Sequence, residues 1–303
     1  MIEELEKRLQ GYTDRVYPKF DVKGKEIYAS DSKMRVVIPT LLREQKQKAV
    51  YQFPEELYDV LYLATKEERV SELKKYNPGF KVLELPNDTK GIAQTRQRCI
   101  ELLPQGKVWM MDDIIKLQKR SPDYRVLGKA SPEEVLELYD FVSKSLDYHV
   151  QVGVSDRPGN NRVEDWRKYN QRSYTNYGLR TDILSQEGIR FDGMFQKDND
   201  VIFYEDFYLT LSLLTKGYSN IILYDWVSSH PGHQAKGGNS VYRNNERQKY
   251  SAEALCREFP DFVKLVQKEG SWGKGMETRW DVSVRWKKAF ESSVDPLKKG
   301  VLF

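Results

Sequence analysis

Between Met34 and Asp113 short apolar runs alternate with stretches of helical periodicity, and that alternation constrains the fold more than any other feature of the chain. Arg35-Val36-Val37-Ile38 is a compact β-branched run stopped by Pro39-Thr40, which reads as a buried strand. Asp59–Thr65 reads as a second strand, followed by a helical pattern over Lys66–Tyr76 that Asn77-Pro78-Gly79 breaks. Phe80–Leu85 is a third. Gly91–Leu103 is helical in pattern and closed by Pro104-Gln105-Gly106, after which Val108–Met111 is a fourth strand running straight into Asp112-Asp113. Strand–helix alternation of this spacing predicts an α/β fold with a mixed, mostly parallel central sheet flanked by helices. Ligands of such sheets sit beyond the carboxyl ends of the strands, where Thr40, Thr65 and Asp112-Asp113 fall.

The remainder is less regular. Ser131-Pro132-Glu133-Glu134 is a helix start, with serine as cap and proline at the first position, and the helix is expected to run to about His149. Val150–Val154 reads as a strand and Arg157–Asn161 as a loop. Residues 171–203 look strand-rich. Glu205–Lys216 reads as an amphipathic helix ended by Gly217, Ile221–Tyr224 as a strand, and 242–267 as largely helical with an interruption at Pro260. A short helix is expected at Ile2–Leu9.

The chain has 303 residues, 39% of them hydrophobic and 31% charged, enough for a sizeable core and too apolar for long disorder. Two cysteines exclude a disulfide framework and a four-thiolate zinc site. No stretch approaches the roughly 20 apolar residues of a membrane span, and the charged start MIEELEKRLQ is no secretory signal, so a reduced, cytoplasmic protein is expected. The 49 Lys and Arg against 45 Asp and Glu give a net charge of +4, which permits a polyanionic partner without demanding one.

Three constellations carry chemistry. Asp112-Asp113 places two carboxylates at the end of a buried strand, where adjacent side chains diverge; hard oxygen ligands with substrate phosphates are how Mg²⁺ or Mn²⁺ is held, although a turn or cap acid would look the same. Glu205-Asp206 opens a helix, at the positive end of its dipole; plain N-capping is the alternative. Ser229-His230-Pro231-Gly232-His233-Gln234-Ala235-Lys236-Gly237-Gly238 puts two of the three histidines and a lysine in one glycine-rich loop, a candidate metal ligand and anion-facing segment unless the histidines are structural.

In this order the three resemble nucleotide-sugar glycosyltransferases of the GT-A fold. VVIPTLLRE is similar to the first strand and turn that receive the nucleotide base, and GIAQTRQRCIELLPQGKVWMMDD to the helix and strand leading to a metal-binding DxD. YEDFYLTLSLLTKGY resembles the acidic helix of that class. SSHPGH is similar to the loop that supplies a histidine to the metal in polypeptide GalNAc-transferases. The resemblance implies Asp113 and His233 as metal ligands, with His230 the weaker alternative. It implies Asp206 as general base and Glu205 as its neighbour lining the acceptor pocket. Donor contacts would come from Pro39, Thr40, Arg43, Thr65, Thr95, Arg96, Asp112 and Lys236. Met111 stands where the first DxD acid is expected. The implied cofactors are a divalent metal, Mn²⁺ or Mg²⁺, and a nucleotide-sugar donor, expected to be UDP-linked; a base at Asp206 implies inversion at the anomeric carbon.

The layout also resembles the TET/JBP-associated glycosyltransferases of bacteriophages, which sugar-modify hydroxymethylated pyrimidines in DNA. GVSDRPGNNR and ETRWDVSVRWKK carry this second resemblance. Basic and aromatic residues accompany them: Trp166-Arg167-Lys168-Tyr169, Arg172, Tyr174, Tyr177, Arg180, and Arg285-Trp286-Lys287-Lys288. Such residues bind phosphates and stack on bases, and equally compose an ordinary solvated surface. The implied partner is DNA carrying 5-hydroxymethylcytosine, in the host cytoplasm, with no membrane partner. A transferase acting on a glycan, lipid-linked sugar or protein, and a non-catalytic DNA-binding protein on a degenerate transferase fold, are the alternatives. The expected organisation is an N-terminal extension over 1–33, a GT-A catalytic domain over 34–240, and a helical, basic and aromatic C-terminal extension over 241–303 packed on the same domain.

Overall fold

The computed structural model describes residues 24–120, 127–156, 166–200, 203–229, 244–269 and 278–294. The expected helix at Ile2–Leu9, the loop at Arg157–Asn161 and the loop holding His230, His233 and Lys236 lie outside them.

The expected alternation is present. Strand β1 is Arg35–Pro39 and β2 is Leu61–Lys66; helix α1, Val70–Tyr76, leads to β3, Lys81–Leu85. Helix α2, Gly91–Leu102, leads to β4, Lys107–Met111. These four strands pair in parallel in the order β3-β2-β1-β4. β1 is central and therefore buried on both faces, which is why its apolar run is unbroken. Two short strands follow, β5 at Lys116–Arg120 and, at the sheet's edge, β6 at Leu127–Lys129. Helix α3, Pro132–Ser145, starts on the expected serine, in a capping box closed by Glu134. Then come β7 (Gln151–Ser155), β8 (Arg167–Tyr169), β9 (Asn176–Arg180), helices α4 (Thr181–Gln186), α5 (Gly193–Lys197) and α6 (Glu205–Thr215), and β10 (Asn220–Ser229). β4 continues the sheet through β9, β7, β10, β5 and β6, with β8 beside β10. β9 runs antiparallel between β4 and β7, so the sheet is mixed, with most strands sharing one direction.

Side chains alternate across the sheet with a period of two. Val36, Ile38, Trp109 and Met111 join Leu138 and Phe141 of α3 in one core; Val37, Val108 and Met110 join Cys99 of α2 and Leu209 and Leu213 of α6 in the other. Gly178 of β9 lets α3 lie close, since a Cβ there would stand 2.6 Å from Val142 Cγ1. Gly217, at φ +89, ends α6 as expected.

Helix α7 (Asn245–Glu258), strands β11 (Val263–Glu269) and β12 (Thr278–Val284), and helix α8 (Trp286–Val294) follow. Leu255, Val263, Val282 and Phe290 form a third core with Phe207, Leu211 and Leu214 of α6. The start of α6 is thus wedged between sheet and C-terminal segment.

Two expectations are overturned. The described residues of 171–203 hold one strand, β9, and two helices; Ile183 and Leu184 of α4 are buried, and Asp182 in its first turn accepts from the Arg180 guanidinium. The predicted helicity to 267 stops at Glu258, and the alternating VKLVQKE after Pro260 pairs as β11 with β12. The predicted helix over Lys66–Tyr76 begins with a 3-10 turn at Glu67–Arg69. Among the described residues no helix is long and apolar enough to cross a membrane.

Candidate active site

The parallel register sets Pro39 beside Ala64, so Thr40 leaves the sheet next to Thr65 of β2, and Thr40 N–H donates to the Ala64 carbonyl at 2.8 Å. The turn after β1 is fixed from within. Gln47 Nε2 donates to Thr40 Oγ1 at 2.7 Å, and Glu44, buried, pairs with Arg69. This turn delivers Arg43, whose Nη1 donates to Asp113 Oδ1 at 3.0 Å. Asp113 is 3% exposed, and burial pushes its carboxyl up to about 7 despite the Arg43 charge. Asp112, the first residue after β4, takes a different partner, Arg96. Its side chain keeps 35% of its exposure.

Arg96 joins the two acidic motifs. From α2, at 3% exposure, its Nη2 donates to Asp112 Oδ1 and its Nη1 to Glu205 Oε1, both at 2.7 Å. The guanidinium lies 5.4 Å from the centre of the Tyr177 ring. Burial disfavours its charge, but Tyr177, Asp112, Glu205 and Asp206 together hold it far more basic than an ordinary arginine. Glu205 and Asp206 are both buried in the first turn of α6, and burial raises both carboxyls, with Arg96 opposing the rise at Glu205 and Arg172 and Arg96 opposing it at Asp206. Asp206 Oδ2 accepts no hydrogen bond, and its nearest cation is Arg172 Nη2 at 3.7 Å. The residue before the pair, Tyr204, is left-handed at φ 68, an unusual conformation for a bulky residue at the head of a helix. Its hydroxyl donates to Asp281 Oδ1 of β12 at 3.2 Å and accepts from Gln248 Nε2 of α7 at 2.6 Å.

The structure therefore brings together Arg43, Arg96, Asp112, Asp113, Glu205 and Asp206. Pro39 and Thr40 line the same end of the sheet. Thr65 is buried with an unpartnered hydroxyl. Thr95 spends its hydroxyl on the Gly91 carbonyl of its own helix, at 2.8 Å. Among the described residues no three His, Cys, Asp or Glu side chains are grouped to hold a metal ion. The third histidine, His149, is half-buried with Nδ1 3.4 Å from the Ser219 carbonyl, and desolvation lowers it to about 4, so it is a neutral structural group. Sequence reasoning placed Tyr177 among the aromatics of a DNA-contact surface, whereas it is fully buried beneath Arg96. It gave Tyr204 no role of its own, and only the backbone at the start of α6 reveals it.

A Rossmann-like half-sheet with acids at its carboxyl edge, facing an acidic helix, is the GT-A layout of nucleotide-sugar glycosyltransferases. Residues 34–238 match the TET-Associated Glycosyltransferase family, and the chain belongs to it. It is 25% identical over 258 residues to the beta-glucosyl-HMC-alpha-glucosyl-transferase of Enterobacteria phage T2, covering 81% of this chain and 89% of that protein. It is 25% identical over 279 residues to the protein of the same name from phage T6, covering 88% and 90%. Among solved structures it is similar to the mannosyltransferase PcManGT of Pyrobaculum calidifontis in complex with GDP-Man and Mn²⁺, at a TM-score of 0.49 and 15% identity over 84% of this chain and 72% of that one. It is also similar to glucosyl-3-phosphoglycerate synthase of Mycobacterium tuberculosis, at 0.46 and 13% over 82% and 89%.

Proposed function

We propose that this protein transfers a sugar from a nucleotide-sugar donor, UDP-linked, to a hydroxyl on 5-hydroxymethylcytosine in phage DNA, inside the host cell. The observation that carries the reading is Asp206, a buried carboxylate with one oxygen unpartnered, beside an exposed arginine and next to Glu205, which Arg96 joins to Asp112 at the end of β4. The phage relatives, named for HMC, support the acceptor.

Asp206 Oδ2 accepts the proton of the acceptor hydroxyl as that oxygen attacks the anomeric carbon. The bond between that carbon and the donor diphosphate breaks as the new C–O bond forms, which inverts the anomeric centre. Burial raises the Asp206 carboxyl, which strengthens it as a base once ionised, and Arg172 and Arg96 oppose that rise. Glu205 stays paired to Arg96 and holds the base at its position on α6. The donor chemistry at the β4 end suits a hard divalent cation, since Asp112 offers an accessible carboxylate with a single partner. Asp112 and Asp113 would hold it with His233, and Lys236 would meet the diphosphate. When bound, such an ion takes up leaving-group charge.

A second reading rests on the relatives' name, which combines HMC with glucosyl units. It places the acceptor hydroxyl on a glucose already attached to the base. Mass spectrometry of digested DNA tests both. Duplexes carrying cytosine, HMC or glucosylated HMC are incubated with a panel of nucleotide sugars and Mn²⁺. Added sugar mass on HMC supports the first reading, and on glucosylated HMC alone the second. Transfer to glycans or protein with none to DNA refutes both.

A further inference from the structure

Arg172 is the exposed cation of the site, and the way it is held is unusual. Its guanidinium centre lies 4.0 Å from the centre of the Tyr174 ring and 4.4 Å from that of Phe207, within cation–π range of both. The ion pair with Asp206 Oδ2, at 3.7 Å, is longer than a hydrogen bond. Among the described residues the guanidinium therefore makes no hydrogen bond, and its side chain keeps 38% of its exposure. Two rings fix the plane of the group, while its five N–H donors stay unspent.

The backbone around it is equally constrained. Asn170 and Thr175 are left-handed at φ 52 and φ 53, and for a β-branched residue such as Thr175 this is an outlier. Thr175 sits beside the strand-end acids, since its carbonyl accepts from Asp112 N–H at 2.9 Å. Strain of this kind persists where the surroundings enforce it, and it gathers at ligand sites. The aromatic support continues outward. Phe207 packs on Trp286 at 5.2 Å between ring centres, and Trp286 lies between Arg285 and Lys287, both exposed. Aromatic packing thus continues from the Arg172 cradle through Phe207 to Trp286.

We propose that Arg172 registers the acceptor strand: its guanidinium takes a backbone phosphodiester of the DNA next to the acceptor nucleotide and so sets the acceptor hydroxyl over Asp206. The inference rests on the function proposed above and adds the residue that recognises the phosphate. A planar fork with free donors matches two phosphate oxygens at once. The same chemistry would suit the diphosphate of the donor, so the test separates the two sources.

The full-length protein, Arg172→Gln and Arg172→Lys are titrated with labelled duplex DNA at several salt concentrations, and with UDP. Losing a charge-assisted contact is expected to weaken DNA binding by Arg172→Gln about tenfold or more. It should also flatten the slope of log K against log salt by about 0.9. Arg172→Lys should keep the slope and lose part of the affinity, because an ammonium is a point charge without the fork. UDP affinity should be the same in all three. Unchanged DNA affinity and slope in Arg172→Gln would overturn the proposal, and so would a loss confined to UDP. If the wild type leaves HMC DNA unmodified while Arg172→Gln still loses affinity and slope, the proposed function falls and the phosphate contact stands. If HMC DNA is modified and Arg172→Gln binds it as the wild type does, the contact falls and the function stands.

Discussion

Two pairs of adjacent acids, Asp112-Asp113 and Glu205-Asp206, look alike in the sequence and differ in the fold. The first pair ends a strand. In the turn after β4 its side chains take different partners, leaving Asp112 partly open and Asp113 sealed against Arg43. The second pair starts a helix. Both members are buried there, near unsatisfied backbone amides and the positive end of the helix dipole, and one oxygen of Asp206 is left without a partner. Each pair has its own arginine, Arg43 or Arg172, and the two share Arg96. The element beneath an acidic pair decides its surroundings: the strand end leaves one carboxylate open, and the helix start buries both and leaves one oxygen without a partner.

The sharpest way to break this division of labour is Asp206→Asn. As general base it should carry about 100-fold to 10,000-fold of the turnover, read as kcat with saturating donor and HMC DNA; a loss below tenfold would reduce Asp206 to a helix cap. Next comes the shared arginine. Arg96→Met strands the Glu205 carboxylate in the core, which is expected to cost about 3 kcal/mol of stability. Urea denaturation measures it, and adding Glu205→Gln should recover much of the loss.

The pH dependence follows from burial. The Glu205 carboxyl is raised in the fold above its ordinary 4.5, so the folded state binds the proton more tightly than the unfolded chain. Its contribution to stability is full below about 4.5 and is lost as pH rises through the raised value. Between pH 5 and pH 8 Glu205→Gln should therefore lose less stability than the wild type. Equal losses would place the titrating group elsewhere. The smallest effect belongs to Tyr204→Phe. It removes a hydroxyl that bonds Asp281 and Gln248 and should cost about 1 kcal/mol. A larger drop in kcat than in stability would mean that the C-terminal segment positions α6.

The parallel half of the sheet, β3-β2-β1-β4, was legible because local signals and tertiary context agree there. Val36–Ile38 is continuous because β1 is buried on both faces, Ser131 caps α3 in a capping box, and Gly217 ends α6. The pairing of the two acidic motifs was not legible. Arg96 reads as one polar residue of an amphipathic helix, and nothing local says that its partners lie 16 and 109 positions away. Residues 171–203 misled because their tyrosines and threonines resemble strand composition, while Thr175 is held in a left-handed turn by its surroundings. The stretch after Pro260 misled for the opposite reason. Its alternation was visible, but β11 has meaning only beside β12, which is more distant in the chain.

The most direct test of the account is calorimetric binding of UDP with Mn²⁺ to the wild type, Asp112→Asn and Asp206→Asn, run beside sugar transfer to HMC DNA. The account expects Asp206→Asn to bind UDP as the wild type does while transfer collapses, and Asp112→Asn to lose both. If the two variants lose binding and transfer together, or if Asp112→Asn retains both, the separation of the two acidic pairs is contradicted.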